Sequence, residues 1–291
     1  MTILILGAAG NLGTALIEYL NGREGISVIG WDKTDIDVTD QGLLSKKIIE
    51  LSPQVIINTV AYNDVDRMES DDEARELGET LNVLLVKNLT AIALEIKATL
   101  VHYSSDYVFK GDKTTSYTEE DIPEPQSAYA KSKFDGEEVF VSATGKGLQW
   151  YLIRTSKLFG PRGTSTGAKP SFFELMFRLS EKNTTIKAVN DEIGSFTYTR
   201  DLARATTALI EDESPYGIYH LVNDGEASWY EAAQYFFKKI GKDIELIPVS
   251  ASEFPRPARR PKHSFLSSVK CAPMRSWQEA VDDYCLQEKF I

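Results

Sequence analysis

Met1-Thr2-Ile3-Leu4-Ile5-Leu6-Gly7-Ala8-Ala9-Gly10-Asn11-Leu12-Gly13 opens the chain, and its reading decides the fold. Thr2 to Leu6 is a short unbroken apolar run bounded by glycine. That is the pattern of a strand buried on both faces of a parallel sheet. Gly7, Gly10 and Gly13 follow at GxxGxxG spacing, and Leu12, Ala15, Leu16, Tyr19 and Leu20 then recur at helical spacing. Glycines between a buried strand and a helix permit a tight turn, and they let backbone N–H groups approach a phosphate at the positive helix end. An ordinary strand-to-helix turn can look the same, so the surrounding chain has to decide.

Val28-Ile29-Gly30-Trp31 reads as a second strand ending at Asp32, an acid placed to accept hydrogen bonds from an adenosine ribose. Lys33 beside it could meet a 2′-phosphate, so both NADH and NADPH stay open. Asp40 can cap a helix running to Leu51, Pro53 breaks it, and Val55 to Asn58 reads as a third strand. A helical stretch from about Leu81 to Ile96, a strand from Thr99 to Tyr103, a helix from about Gln126 to Val141 and a strand from Gln149 to Ile153 continue the alternation. Repeated strand-helix-strand units predict an α/β, Rossmann-like, doubly wound parallel sheet. After Thr155 the rhythm changes. Gly160 to Pro170 is a Gly/Pro/Thr-rich loop, Phe172 to Glu181 and Trp229 to Ile240 read as helices, and Ile218 to Val222 reads as a strand. The expected division is a dinucleotide-binding domain over residues 1–155, with returns near 188–216, and a smaller C-terminal substrate-binding lobe over 156–291.

Composition narrows the function. The 291 residues are 42% hydrophobic and 26% charged, ordinary for a globular protein. A net charge of −11 would repel a phosphate backbone, which argues against nucleic-acid binding. Cys271 and Cys285 form neither a disulfide framework nor a metal knuckle. No segment approaches the roughly 20 uninterrupted apolar residues of a membrane span, and the first residues lack a basic signal-peptide region. A cytoplasmic protein without a membrane partner is expected.

Tyr129-Ala130-Lys131-Ser132-Lys133 is a YxxxK motif, and residues four apart share one helical face. Tyr129 and Lys133 should therefore point into one cleft. The ammonium and a nearby oxidised nicotinamide would lower the phenol's titration, so that Tyr129 can exchange a proton with an alcohol or ketone near neutrality. Lys133 would also bond the nicotinamide ribose. Ser104-Ser105-Asp106 ends the fourth strand about 24 residues earlier, where Ser105 can donate to the substrate oxygen and orient Tyr129. The densest basic cluster, Arg256, Arg259, Arg260, Lys262 and His263, could hold the diphosphate of a nucleotide sugar. Trp229 and Trp277 read as core or interface residues.

With these residues in hand, the chain resembles the extended short-chain dehydrogenase/reductases and, within them, the dTDP-4-dehydrorhamnose reductase family. The resemblance runs almost end to end, through Asn58-Thr59-Val60-Ala61-Tyr62-Asn63-Asp64-Val65-Asp66, His102-Tyr103-Ser104-Ser105-Asp106-Tyr107-Val108-Phe109, Arg154-Thr155-Ser156, Asn190 to Ser195, Tyr219-His220-Leu221-Val222 and Pro257-Ala258-Arg259-Arg260-Pro261. It implies that Gly10, Asn11, Leu12, Asp32, Asp37, Val38, Ala61, Tyr62, Asn63, Tyr103, Tyr129 and Lys133 bind the cofactor. It implies that Ser105 and Asp106 contact the sugar and that Tyr129 donates the proton. The implied reaction is reduction of the C4 ketone of dTDP-4-dehydro-6-deoxy-L-mannose to dTDP-L-rhamnose by NADPH or NADH.

Two departures fall on the substrate side: Lys157 stands where the family has a tryptophan, and Pro170-Ser171-Phe172 replaces an Asn-Phe pair. Some family members form a magnesium-linked dimer through a glutamate in the first helix. Ala15 stands there, so no metal is expected, while a homodimer remains compatible with the pattern. The same resemblance leaves open a reductase or epimerase of another 4-keto nucleotide sugar. It also leaves open a non-catalytic subunit similar to the regulatory subunit of methionine adenosyltransferase.

Overall fold

Residues 1–290 are described by a computed structural model, in which β1 (Thr2–Leu6) leads through the glycine turn into α1 (Asn11–Leu20). The chain continues as β2 (Ser27–Trp31), α2 (Gln41–Leu51), β3 (Val55–Asn58), α3 (Val65–Ser70) and α4 (Asp72–Glu79). A π-helical turn at Thr80–Leu84 joins α4 to α5 (Leu85–Ile96), and β4 (Thr99–Ser105), α6 (Ala128–Ala143) and β5 (Gln149–Thr155) follow. The second half holds β6 (Leu158–Phe159), α7 (Phe172–Ser180), β7 (Thr185–Val189), β8 (Ile193–Gly194), β9 (Thr197–Tyr198), α8 (Thr199–Glu211) and β10 (Gly217–His220). It ends with β11 (Asn223–Asp224), β12 (Ala227–Ser228), α9 (Trp229–Lys239), β13 (Glu245–Val249), β14 (Met274–Ser276) and α10 (Trp277–Gln287).

Six parallel strands form the main sheet in the order β10-β5-β4-β3-β1-β2. Alternation along each strand sends successive side chains to opposite faces. Leu4, Leu6, Ile56, Leu100 and Leu152 therefore pack under α2, α5 and α6 on one face. Ile3, Ile5, Val55, Ile57, Val101 and Ile153 meet α1 and α8 on the other. The order reverses between β1 and β3, so the carboxyl ends of β1, β3 and β4 open onto the crevice where such sheets bind ligands. The smaller lobe packs over those ends around an aromatic core that includes Phe159, Phe173, Phe196, Phe236, Trp277 and Tyr284.

Local chemistry explains several boundaries. Asp40 accepts the Leu43 N–H at 2.9 Å and starts α2, as expected. Ser127 accepts the Ala130 N–H at 3.2 Å and starts α6 at Ala128, two residues later than the sequence pattern had it. The return to the main sheet is made by α8 and β10, whereas β7 pairs with β13 in the other lobe. β7, β13 and α10 escape the sequence reading: the two strands are five residues each and one holds Pro248. The capping box Ser276-Trp277-Gln278-Glu279 was a legible signal for α10.

The continuous helical stretch Asp72–Ile96 is long and apolar enough to cross a membrane by length and composition. Leu85, Val86, Leu89, Ile92 and Ala93 of this stretch are instead buried against the sheet.

The helix that carries Tyr129 and Lys133 is fixed from two sides. A Cβ on Gly136 would lie 2.3 Å from the Asn82 carbonyl oxygen, so only glycine lets α6 approach the π turn this closely. One turn after Lys133, Glu137 accepts two contacts from Arg154 Nε (3.0 and 3.2 Å) and one from its Nη2 (2.6 Å), with both side chains buried. Removing one partner leaves a buried charge uncompensated. Arg154→Met should lower unfolding stability by about 3–5 kcal/mol, measured by urea denaturation. A loss below about 1 kcal/mol would show that the pair does not anchor α6 to β5.

Candidate active site

At the glycine turn, Gly7 has φ +79°, and its N–H, like that of Ala8, bonds the Trp31 carbonyl at 2.8 and 3.1 Å respectively. A Cβ on Gly13 would lie 2.1 Å from the Gly7 carbonyl oxygen, so α1 starts tight against the turn. Gly10 caps α1 with no side-chain bond, which leaves the first amides of the helix facing the cleft. A cavity of about 610 Å³ lies on one side of this turn and is lined by Ala8, Ala9, Thr14 and Asp32 to Asp35.

A second cavity of about 590 Å³ continues past the turn. Gly7, Gly10, Asn11, Leu12, Asp32, Ala61, Asn63, Tyr103, Ser105, Asp106, Tyr129, Lys133 and Lys157 all line it. Residues scattered over 150 positions thus meet in one cleft, with the glycine turn at one end and Lys157 and Trp229 at the other. The buried hydroxyls of Ser104 and Thr155 line it without a hydrogen-bond partner among the described residues. An uncapped helix end and idle buried hydroxyls fit a polar dinucleotide and its substrate.

The remaining expected residues fall elsewhere, each for a visible reason. Asp37 is exposed and accepts from the Thr39 hydroxyl (2.7 Å) and amide (2.9 Å), which hold its carboxyl below the usual range. Val38 packs on the sheet core. Gly13 serves helix packing. Tyr62 does not line the cleft; its N–H and carbonyl are both taken by the Asn82 amide, at 2.9 and 3.0 Å. Asn82 also donates to the Ser132 hydroxyl at 2.9 Å, so one buried amide ties the loop after β3 to the helix of Tyr129. No sequence motif pointed to it.

The basic cluster is a correction, because it lies outside the cleft and Arg256 and Arg260 are already paired with acids. Arg260 forms a two-pronged pair with Asp66 at 2.5 and 2.7 Å, Arg256 pairs with Glu192, and His263 meets Glu226 at 2.8 Å. Arg259 is exposed and donates to the Gln126 side chain at 3.1 Å. None of the four lines the cleft. Trp229 corrects the opposite way: it is half-buried, lines the cleft and stacks with Lys157, whose nitrogen lies 4.5 Å from its ring centre. Lys157 Nζ also lies 4.9 Å from the Phe196 ring centre and donates to the carbonyls of Glu192 (3.3 Å) and Ala227 (3.4 Å). Burial pushes this ammonium down to about 8, with Asp106, Glu192 and Glu231 opposing.

The residues expected to act in catalysis are arranged differently from a direct Tyr-Lys contact. Lys133 Nζ donates to the Tyr103 carbonyl at 2.7 Å and lies 3.4 Å from His102 Nε2. Burial lowers Lys133 to about 8 and raises Tyr129 to about 12, so the expected downward push of Lys133 on the free phenol is absent. The Ser105 hydroxyl pulls Tyr129 the other way, and Asp106 adds to the upward push. Ser105 donates to Asp106 Oδ1 at 3.0 Å, and Ser264 donates to Oδ2 at 2.5 Å. Desolvation raises that carboxyl nonetheless.

The loop from Gly160 to Pro170, read only as a connection, lies across the glycine turn. Ser165 N–H bonds the Ala9 carbonyl at 2.9 Å, and Gly163 N–H bonds Asn11 Oδ1 at 2.9 Å. Asn11 Nδ2 returns a bond to the Lys169 carbonyl at 3.2 Å. Ser165 and Gly167 line both cavities.

A family model described as RmlD substrate binding domain matches residues 1–289. Over 291 residues the chain is 34% identical to the spore coat polysaccharide biosynthesis protein SpsK of Bacillus subtilis, covering 99% of this chain and 97% of that protein. The crystal structure of a dTDP-4-dehydrorhamnose reductase from Clostridium acetobutylicum matches with a TM-score of 0.90 at 35% identity, covering 99% of this chain and all of that one. That of the dTDP-4-dehydrorhamnose reductase from Bacillus anthracis, in complex with NADP, matches with a TM-score of 0.90 at 32% identity, covering 98% and 99%. With nearly its whole length matched, the chain belongs to the RmlD substrate-binding-domain family.

Proposed function

We propose that this chain is an NAD(P)H-dependent reductase of a 4-keto nucleotide sugar, converting dTDP-4-dehydro-6-deoxy-L-mannose to dTDP-L-rhamnose in the cytoplasm. The observation that carries the reading is the meeting of Ser105, Tyr129 and Lys133 in the cleft that begins at the uncapped glycine turn. Gly10, Asn11, Leu12 and Asp32 would hold the dinucleotide, with Ala61, Asn63 and Tyr103 beside its nicotinamide half. A reduced nicotinamide bound there supplies a hydride. Tyr129, held protonated by burial, donates the proton that the ketone oxygen needs. Ser105, whose hydroxyl donates to Asp106 Oδ1 in the free protein, would turn that single O–H to the same oxygen when substrate binds. Lys133, fixed on the Tyr103 carbonyl, stabilises the negative charge that Tyr129 acquires as its proton leaves.

Absorbance of the reduced nicotinamide, with the substrate generated in situ, tests the reading directly. NADH and NADPH, run separately, should be oxidised as dTDP-L-rhamnose forms. Tyr129→Phe should slow turnover by roughly 10²–10⁴-fold while still binding cofactor. Cofactor binding without turnover of this sugar would overturn the proposal.

Lys157 is the cation at the sugar end of the cleft, and we assign it to a substrate oxygen. Lys157→Met should raise KM for the nucleotide sugar at least about tenfold, the size expected for losing a charged hydrogen bond. The Kd for NADPH, from fluorescence titration, should stay unchanged. In pH profiles of reduction, kcat/KM should fall as pH rises through the Lys133 range near 8, because the amine no longer supports charge on Tyr129. A rise across that range would contradict the role given to Lys133.

A further inference from the structure

Behind Lys133, away from the cleft, lies a buried chain of hydrogen-bonding groups that the proposed reaction does not use. Val60 N–H donates to Asn58 Oδ1 at 3.1 Å, which turns the Asn58 Nδ2 group toward His102 Nδ1, also at 3.1 Å. The opposite ring nitrogen, Nε2, faces Lys133 Nζ at 3.4 Å. Asn58, His102 and Lys133 are all buried, and His102 stacks on Phe140 with ring centres 5.8 Å apart.

The donor and acceptor inventory fixes what these groups can do. Neutral imidazole has one N–H and one acceptor nitrogen, an amide NH2 only donates, and an ammonium only donates. With the Asn58 NH2 donating to Nδ1, the His102 proton sits on Nε2 and points at Lys133. If Lys133 is an ammonium, two donors face each other there. Moving the proton to Nδ1 relieves that contact but sets Nδ1–H against the Asn58 NH2. Flipping Asn58 then sets its NH2 against Val60 N–H. Among these side chains, every contact is satisfied when Lys133 is a neutral amine, donating to the Tyr103 carbonyl and accepting from His102 Nε2–H; the Asn58 backbone, which favours a protonated His102, is the group beside the ring that opposes this arrangement.

We propose that Asn58 and His102 are positioning residues that disfavour the ammonium form of Lys133 and thereby keep it ready to gain and lose a proton during turnover. The assignment rests on the reading of Tyr129 and Lys133 as the proton-transfer pair. Other groups around Lys133 do not supply this bias. Glu137, one turn on, favours the ammonium but is tied to Arg154. Buried Tyr103 and half-buried Tyr129 are phenols with raised titration, as is half-buried Tyr107 in the turn after β4. Asp106 is held by Ser105 and Ser264, and Glu69 of α3 accepts from the Ala128 amide. His102 itself is held well below its usual range by burial and by Lys133, against a smaller upward push from the Asn58 backbone, so it stays neutral.

The test is titration of Lys133 in the full-length free protein, followed by NMR with lysine labelled at the ε carbon, together with the 15N shifts of His102. His102→Phe keeps the ring stacked on Phe140 and removes the Nε2–H donor. Lys133 should then titrate about one pH unit higher, and the high-pH limb of kcat/KM should move up with it. If Nε2 were instead an acceptor for the ammonium, the same change would move both down, and that outcome overturns the proposal, as does no shift. Asn58→Asp offers a carboxylate to Nδ1–H, should switch His102 to the Nδ1-protonated form and should also raise Lys133. Wild-type His102 should carry its proton on Nε2 above the Lys133 midpoint; an Nδ1–H signal there overturns the proposal even if His102→Phe fails to fold. The NMR readings need no substrate. A wild type inactive on the nucleotide sugar would remove the proposed function, while the titration would still decide the roles of Asn58 and His102.

Discussion

The bond from Lys133 Nζ to the Tyr103 carbonyl, 2.7 Å long and buried, is the constraint on which the site depends. It joins α6 to the end of β4, the central strand whose next residues carry Ser105 and Asp106. Charged or neutral, a buried amine without an acceptor is unfavourable, so helix and strand are held in one register. Gly136 permits the close approach, Arg154 and Glu137 anchor the next turn, and Asn82 fastens the loop after β3 to the same helix. Tyr129, four residues before Lys133, is delivered to the cleft by this bracing.

Much of this was legible because it is periodic or glycine-dependent. Buried strands of a parallel sheet are unbroken apolar runs, so β1 and β3 stood out, and the glycine turn named the start of α1. Ser105, Tyr129 and Lys133 were legible as residue types at chemically meaningful spacing. Asn82 and His102 were not, because a single buried polar group has no pattern along the chain; only its partners in space reveal it. The basic run from Arg256 to His263 misled for the same reason. Its counter-charges, Asp66, Glu192 and Glu226, lie 37 to 194 residues away. Composition shows a cluster of charge, and only the fold shows that Arg256 and Arg260 are already paired.

The sugar end of the cleft shows how a local departure acquires a structural setting. Lys157 has φ +37°, an unusual backbone for a side chain of its size, and sits between Phe196 and Trp229. Trp229, which starts α9 just after its cap at Ser228, thus becomes part of the cleft wall and not only of the aromatic core. The cation is held by two long carbonyl contacts and two ring faces, which orient it without neutralising it.

In the proposed reaction Tyr129 delivers the proton and a bound nicotinamide would supply the hydride. The most direct measurement is therefore to supply NADPH deuterated at the transferred position of C4 of its nicotinamide and to locate the label in the sugar product by NMR. The account predicts deuterium at C4 of the 6-deoxyhexose, with net oxidation of one cofactor for each sugar. Label at any other carbon, or product formed without label and without net cofactor oxidation, would contradict it.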